Sequence, residues 1–164
     1  MAAALRLLAS STRAARPMIT FNSRAYATAT DKLKLSLVVP HQALISGTEV
    51  AQVNIPAATG DMGILSKHEP IIEELRPGVV EVKTLDGQSK KWFISGGFAT
   101  MHPHNELTVN VVEAAPLEDF SVEAVKANLA EANRVANGSG PEKDKVEARI
   151  EAGVLEALQF ALKA

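Results

Sequence analysis

The chain divides into two parts whose apolar residues repeat with different periods. Near residue 33, Leu33, Leu35 and Leu37 alternate with Lys34 and Ser36, so one side of this segment is apolar and the other is polar. A repeat of two residues predicts a β-strand with one buried face. A second β-rich run contains Val50, Val53 and Ile55.

Two pairs of apolar runs predict β-hairpins. Residues 79–85 and 90–95 flank Asp86-Gly87, a favoured two-residue turn that requires positive φ. The second pair comprises residues 98–101 and 107–112, with a polar turn at 102–105 between them.

Short strands at this spacing, separated by glycine and proline, predict an all-β fold, either an antiparallel sandwich or a barrel. We place this β domain at residues 27–115. The repeat then changes, because alanine and glutamate become frequent and β-branched residues become rare after Pro116.

The C-terminal part predicts two amphipathic helices. Ser121 is a suitable N-cap, Asn137-Gly138 a suitable C-cap, and Pro141 suits the first turn of a second helix. The two apolar stripes are Val122, Val125, Leu129, Ala132 and Ala136 on the first helix, and Val146, Ile150, Val154, Leu158 and Leu162 on the second. Joined by a short link, the helices form an antiparallel α-helical hairpin at residues 119–164.

The first 26 residues have the composition of a mitochondrial transit peptide. They contain Arg6, Arg13, Arg16 and Arg24, no acidic residue, and many alanine, leucine, serine and threonine residues. Arg24 lies three positions before Ala27, so we predict that cleavage leaves a mature chain starting near Ala27. A disordered basic arm is the alternative, and N-terminal sequencing of the native protein distinguishes the two.

Composition excludes several kinds of function. Without the four leader arginines, 13 of the 17 basic residues remain against 19 acidic ones, a net charge of −6 that disfavours nucleic acid as a partner. The absence of cysteine excludes disulfides and thiolate metal sites. After the leader, no apolar run approaches the roughly 18 residues needed to span a bilayer.

No residue pattern identifies a catalytic centre. A phosphate-binding loop of the form Gly-x4-Gly-Lys-Ser/Thr is absent. Ser66, His68 and an acidic neighbour could form the centre of a small hydrolase, but a single loop gives such a set little rigid support. His102 and His104 could bind a metal weakly, although a solvent-facing turn is the simpler interpretation.

Two glycine-rich blocks, at residues 56–70 and 92–109, carry the most specific signal. The first block reads Gly60-Asp61-Met62-Gly63-Ile64-Leu65, followed by His68 and Pro70, and the second reads Phe93-Ile94-Ser95-Gly96-Gly97-Phe98, followed by the run 107–112 and by Ala114-Ala115. Together they resemble the small central-stalk subunits of F-type ATP synthases, the delta/epsilon family. The resemblance extends from about Leu33 to the C-terminus and is specific in the β domain.

The resemblance implies a non-catalytic rotor subunit of a mitochondrial ATP synthase. Its implied partners are the gamma subunit, the ring of c subunits and, in mitochondria, the small epsilon subunit, and its implied location is peripheral, on the matrix side of the inner membrane. The implied role is to couple c-ring rotation through gamma to ATP synthesis. The alternatives are a free matrix β-sandwich module that binds a ligand, and the small hydrolase described above.

The resemblance also implies a partner-binding end of the sandwich. Gly60, Asp61, Met62 and Gly63 form its tip, and we place His68 at the same end. No catalytic residue, metal or cofactor is implied. Some bacterial relatives bind ATP on the helical hairpin, but here the corresponding run, residues 129–135, lacks the aspartate in register, so we expect no functional nucleotide binding.

Overall fold

A computed structural model describes residues 32–163, so the predicted transit peptide and its cleavage site lie outside the described residues. Nine strands precede two helices. The strands are β1 Leu33–Val39, β2 Gln42–Ala57, β3 Gly60–Leu65, β4 Ile71–Leu75, β5 Gly78–Thr84, β6 Ser89–Ile94, β7 Gly97–His102, β8 Glu106–Val111 and β9 Ala114–Pro116, and the helices are α1 Val122–Ala136 and α2 Glu142–Ala161. The predicted order of a β domain followed by a helical hairpin is confirmed. The last strand ends at Pro116, one residue beyond the predicted domain end.

The long strand β2 joins the two layers of the sandwich. Its first half pairs with β1, and its second half pairs with β3 and β5. The remaining pairings give the order β1-β8-β7-β4-β2-β5-β6-β9, in which only β1 and β8 run parallel among the described strands. A single pair, Ala57 with Leu75, links β2 to β4. The strands β1, β8, β7, β4 and β2 therefore form a closed circuit of pairings.

The core of the sandwich is built from the inward faces of these strands. On β1, the predicted alternation is confirmed, because Leu33, Leu35 and Leu37 are fully buried whereas Lys34 and Ser36 are not. Among the other fully buried core residues are Val50, Val53, Ile55, Ile64, Val80, Ile94, Leu107 and Val109. Burial of this apolar surface is the main source of stability for the β domain.

The β5–β6 hairpin forms at the predicted place but with a different turn. The Thr84 N–H donates to the Gln88 carbonyl at 2.9 Å, and the Gly87 N–H donates to the Thr84 carbonyl at 3.1 Å. Three residues therefore form the loop, and only Gly87 has positive φ, at 79°. The predicted two-residue turn at Asp86-Gly87 was wrong. Such a turn needs positive φ at both central residues, whereas here only Gly87 has it and Leu85 joins the loop as a third residue.

The β7–β8 turn is polar as predicted, but it is partly buried. His104 and Asn105 have φ values of 70° and 62°, in the left-handed region. The Asn105 side chain is only 6% exposed, and its Oδ1 accepts a hydrogen bond of 2.6 Å from the Lys67 N–H. The Asn105 carbonyl also accepts a backbone bond from the Lys34 N–H. This turn thus ties the β3–β4 loop to the start of β1.

Helix α1 begins and ends where the sequence predicts. The Ser121 hydroxyl accepts a hydrogen bond from the Ala124 N–H, as an N-cap does, and Asn137 is the C-cap. Val125, Ala132 and Ala136 from the predicted stripe are buried. The first helical stripe is therefore confirmed at its buried positions.

The predicted stripe of α2 was wrong over the first half of the helix. Val146 and Ile150 are 45% and 65% exposed, whereas Ala148 and Ala152 are buried between the helices. Small alanine side chains on both helices allow the two backbones to approach closely, so the helix turns its alanine face inward and leaves the larger residues outside. Leu158 is buried as predicted.

The hairpin packs against the outer surface of the sandwich. Phe93 of β6 meets Phe120 edge to face, with ring centroids 5.8 Å apart and planes at 77°, a contact worth roughly 1 kcal/mol beyond its area. Val125, Leu158 and Ala161 complete this small second cluster. The helices are therefore folded down on the β domain, attached through a much smaller core than the sandwich itself.

Candidate partner-binding surfaces

The predicted tip lies at the start of a strand. Gly60 and Asp61 are exposed at the beginning of β3, directly after the β2–β3 turn. Met62 is partly buried and packs on the core, and Gly63 faces outward. The glycines of this segment predict a loop, but the segment pairs along β2, where Pro56 opposes Asp61.

Two neighbouring side chains of this strand differ in their burial. Ile64 is fully buried in the sandwich core, whereas Leu65 is 53% exposed. The alternation of a strand places neighbouring side chains on opposite faces, so only one of the two can be a core residue.

Asp61 has an ionic partner within the chain. The Oδ1 atom of Asp61 lies 2.5 Å from the Nη2 atom of Arg76, a residue in the turn between β4 and β5. The two residues are 15 positions apart, and their side chains are 79% and 47% exposed. Sequence reasoning missed Arg76. The only local signal is the Arg-Pro-Gly turn at 76–78, which says nothing about its distant partner.

The backbone joins the same two turns. The Ala58 N–H donates to the Glu74 carbonyl at 2.8 Å, and the Arg76 N–H donates to the Pro56 carbonyl at 3.0 Å. The β2–β3 turn and the β4–β5 turn therefore form one surface. Asp61 and Arg76 lie side by side on it.

The structure separates His68 from this tip. His68 follows the far end of β3, whose six residues from Gly60 to Leu65 span about 17 Å from the first to the last Cα. The neighbouring Lys67 is bonded to Asn105 of the β7–β8 turn, at the opposite end of β7 from Gly97. The prediction that His68 shares an end with Asp61 was wrong, because the segment between them is extended.

The same separation removes Asp61 from the set of acids that the hydrolase hypothesis could use. The Nδ1 of His68 lies 2.9 Å from the backbone oxygen of Glu69, and Asp61 is at the other end of the strand. Asp61 therefore cannot orient His68, as the acid of a catalytic set orients its base. Across residues 32–163, no three or more histidine, cysteine, aspartate or glutamate side chains cluster as metal ligands.

A polar network lies beside the tip on the outer face of β2 and β5. Glu81 accepts hydrogen bonds from the Ser89 hydroxyl at 2.6 Å and from the Asn54 amide at 2.7 Å, and the Gln52 amide donates to the Asn54 Oδ1 at 2.6 Å. The bonds from Ser89 and Asn54 lower the pKa of Glu81, because they stabilise its ionised form. A side chain at position 63 would lie 3.1 Å from both amides of this network, so Gly63 keeps it accessible.

We expect Glu81→Gln to weaken the dependence of the free energy of unfolding on pH in the acid range. The folded pKa lies below the ordinary value of 4.5, so Glu81 stabilises the fold above that pH and loses this contribution as the pH falls through its folded pKa. At pH 7 the variant should lose at most about 1 kcal/mol, since the carboxylate is partly solvated. Denaturant unfolding between pH 3 and pH 7 measures this, with Glu118→Gln as an exposed control. If the free energy of unfolding falls equally with pH for Glu81→Gln and for the unmodified chain, the prediction is contradicted.

An apolar patch occupies the outer face of the layer formed by β4, β7 and β8. Ile72, Phe98 and Val112 are 73%, 55% and 65% exposed. Phe98 pairs with Glu74 and Asn110, so Ile72 and Val112 are its diagonal neighbours on the same face. We call these three residues the Phe98 patch. Glu74 and Asn110, which are exposed on the same face, flank Phe98, so the patch is a candidate protein-binding surface of mixed character.

A second apolar surface runs along α2. Val146, Ile150 and Phe160 are 45%, 65% and 76% exposed and, at about 100° per residue, lie within about 80° of one another around the helix. We call them the α2 stripe. Within residues 32–163, no helix is long and apolar enough to span a membrane.

The groove between α1 and α2 is acidic. Glu131, Asp144, Glu147 and Glu151 are among its lining residues, and Arg134 is paired with Glu131 at 2.5 Å. Carboxylates repel the phosphates of a nucleotide, so these four side chains disfavour a phosphate in this groove.

The described residues thus form a β-sandwich with a helical hairpin folded against it. The family model for the β-sandwich domain of the ATP synthase delta/epsilon chain matches residues 32–116, about half of the chain. The chain belongs to this family.

Curated relatives extend the similarity over nearly the whole length. The chain is 66% identical to "ATP synthase subunit delta, mitochondrial" of Agaricus bisporus over 158 residues, which cover 96% of this chain and 97% of the relative. The protein with the same name from Neurospora crassa is 52% identical over 141 residues, with 85% and 86% covered. Both alignments include the helical part as well as the sandwich.

A solved structure has the same fold. A chain in the OSCP/F1/c-ring structure of the Euglena gracilis mitochondrial ATP synthase, in rotational state 1, superposes with a TM-score of 0.77 at 30% identity. The superposition covers 85% of this chain and 87% of that one. The arrangement of sandwich and hairpin is therefore similar to that of a component of that assembly.

Proposed function

We propose that this chain is a non-catalytic rotor subunit of the mitochondrial ATP synthase, peripheral to the matrix side of the inner membrane. It connects the gamma subunit to the ring of c subunits, so that rotation of the ring reaches the catalytic heads without slippage. The observation that carries this proposal is the high identity, over nearly the whole chain, to proteins named subunit delta of that enzyme.

The construction of the β domain suits the transmission of torque. A close-packed interior resists shear, and the closed circuit of strand pairings ties both layers together through hydrogen bonds. A subunit under load also needs interfaces that persist, which in obligate assemblies bury more than about 2,000 Å². One small surface cannot bury this much area. We therefore assign a separate surface to each partner, so that several surfaces together hold the chain in the assembly.

The tip is the surface that we assign to the c ring. It is polar and exposed at Gly60 and Asp61, and the underlying residues are fixed by pairing with β2. A short, rigid, polar projection suits the polar loops that connect the helices of a membrane ring. This assignment replaces the predicted set that included His68.

The Phe98 patch is the surface that we assign to the gamma subunit. It is apolar and lies on the face of the sandwich opposite to its contact with the helices, since the second hydrophobic cluster involves β5 and β6. His68 lies in the loop that precedes β4, the strand that contains Ile72.

The α2 stripe is the surface that we assign to the mitochondrial epsilon subunit. Its three apolar residues lie on the side of α2 that faces away from α1, and Phe160 reaches the groove between α2 and the sandwich. A helix that covers this stripe would bury apolar surface on both elements at once. It would also hold the hairpin in its folded-down position.

The free ligand-binding module receives less support from the described residues. The groove beneath the end of α2 is open to solvent and lined by charged as well as apolar residues, among them Arg76, Glu81 and Lys91. Ligand pockets are mostly apolar and enclose most of the ligand surface. The identity to ATP synthase subunits also favours the rotor interpretation.

We expect Asp61→Lys to uncouple the assembled enzyme while leaving the isolated chain folded. The lysine would lie beside Arg76, so the tip would present two cations in place of an ion pair. Proton pumping per ATP hydrolysed, measured in reconstituted membranes, should fall severalfold. Because the pair is exposed, the free energy of unfolding of the isolated chain should change by at most about 1 kcal/mol.

Asp86→Lys is the matched control, since Asp86 is an exposed acid in the distant β5–β6 turn. Normal coupling with Asp61→Lys would contradict the assignment of the tip. Normal coupling in an enzyme that lacks the whole chain would contradict the proposed function itself.

A further inference from the structure

The pair formed by Asp61 and Arg76 would contribute little to the isolated protein. Both side chains are largely exposed, and exposed ion pairs are worth about 0–1 kcal/mol. The fold at this point is already fixed by the backbone bonds between Ala58 and Glu74 and between Arg76 and Pro56. The pair is therefore not needed to hold the two turns together.

The situation changes when a partner covers this surface. A lone carboxylate that loses its water without gaining a partner is strongly unfavourable, whereas a paired and hydrogen-bonded carboxylate can be covered at much lower cost. Arg76 is the only cation that contacts Asp61 in the described part of the chain. The two residues lie on turns whose backbones are bonded to each other, so the fold holds the two side chains within reach of one another before any partner binds.

We propose that Arg76 is the positioning residue of the tip, and that the partner is met by a preformed Asp61–Arg76 ion pair and not by a free carboxylate. This inference rests on the proposed function, because it assumes that the tip is covered in the assembled enzyme. In this arrangement the basic counterpart of Asp61 need not come from the partner. The counterpart is supplied by the chain itself.

The geometry leaves donors for the partner. A guanidinium has five N–H groups in a planar fork, and Nη2 is the atom that meets the Asp61 Oδ1. With 47% of its side chain exposed, Arg76 can direct other N–H groups outward while it holds Asp61. The partner surface that fits is a loop with exposed carbonyl or carboxylate oxygens, because these groups accept hydrogen bonds from a guanidinium.

The test measures how firmly the assembled enzyme retains the chain. Purified ATP synthase with a labelled full-length chain is challenged with excess unlabelled chain, and release of the label is followed. Arg76→Met keeps an unbranched apolar stem but removes the guanidinium, which leaves Asp61 unpaired under the partner. Release should then be at least about thirtyfold faster, as for loss of one member of a covered charge pair.

Two further variants separate positioning from a general structural effect. The double variant Asp61→Asn with Arg76→Met removes both charges, so release should return to within about fivefold of the unmodified chain. Arg76→Lys keeps the positive charge but not the planar fork of N–H groups. Its rate of release should therefore lie between those of Arg76→Met and of the double variant. Arg134→Met is the matched control, because it breaks a similar exposed pair with Glu131 on α1 and should release at the normal rate.

Release at the normal rate from Arg76→Met would overturn the inference, as would a double variant that is released as fast as Arg76→Met alone. Thermal unfolding of each isolated chain shows whether a variant is folded. Failure of the unmodified chain to enter the enzyme at all would overturn the proposed function, a result distinct from normal behaviour of Arg76→Met in a chain that does assemble.

Discussion

Gly97→Val is expected to prevent the sandwich from closing. Gly97 begins β7, pairs with Val111 of β8 and has a φ of 157°. A Cβ at this position would overlap the carbonyl oxygen of Asn110 and lie 2.8 Å from the Cα of Val111. The obstacle is backbone on the neighbouring strand, which cannot rotate away as a side chain can. We expect a loss of about 4 kcal/mol or more, enough to unfold a typical domain of this size.

Urea or thermal unfolding of the isolated chain measures this effect, with Gly87→Ala as the control. Gly87 has a φ of 79°, but a Cβ added to it would meet nothing within 4 Å, so its replacement tests backbone conformation without a clash. That control should lose only about 1 kcal/mol. If Gly97→Val melts like the unmodified chain, the close approach of β7 and β8 does not constrain the fold.

The regular parts of the β domain could be predicted because their burial alternates. Leu33, Leu35 and Leu37 give a clear period of two, and the structure buries all three. The segment that forms β3 has no such signal, since Gly60 and Gly63 interrupt the alternation within six residues. Its pairing depends on β2, and a contact with a distant strand is not visible in a local pattern.

The helical hairpin shows why an apolar stripe does not identify the buried face. On α2, Val146 and Ile150 are larger and more apolar than Ala148 and Ala152, yet the alanines are buried. The facing surface of α1 offers small residues such as Ala132, which permit close packing. Which face turns inward thus depends on both helices together, and the period of one helix cannot show it.

The site could be predicted only in part from the sequence. Asp61 was identified through a family resemblance, whereas its contact with Arg76 joins residues 15 positions apart and depends on the packing of two turns. His68 is close to Asp61 in sequence but is separated from it by an extended strand. Proximity along the chain is therefore a poor guide to proximity in a β domain, because each residue of a strand adds about 3.3 Å.

Phe98→Asp is expected to weaken binding of the chain to the remaining enzyme by about thirtyfold or more, as loss of a central aromatic anchor does. Phe98 lies between Ile72 and Val112, so a carboxylate there would place a charge at the centre of the surface assigned to the gamma subunit. The isolated chain should remain folded, because Phe98 is already 55% exposed. Titration of the full chain into ATP synthase depleted of this subunit measures the affinity.

Leu85→Asp is the matched control for this prediction. Leu85 is 50% exposed in the β5–β6 turn, so its replacement introduces the same charge at a similarly exposed apolar position outside the Phe98 patch. Its affinity should stay close to that of the unmodified chain. Equal losses for the two variants would mean that added negative charge, and not the patch, governs binding. An unchanged affinity for Phe98→Asp would remove the patch from the gamma interface, and the outer face of β4, β7 and β8 would then be free in the assembled rotor.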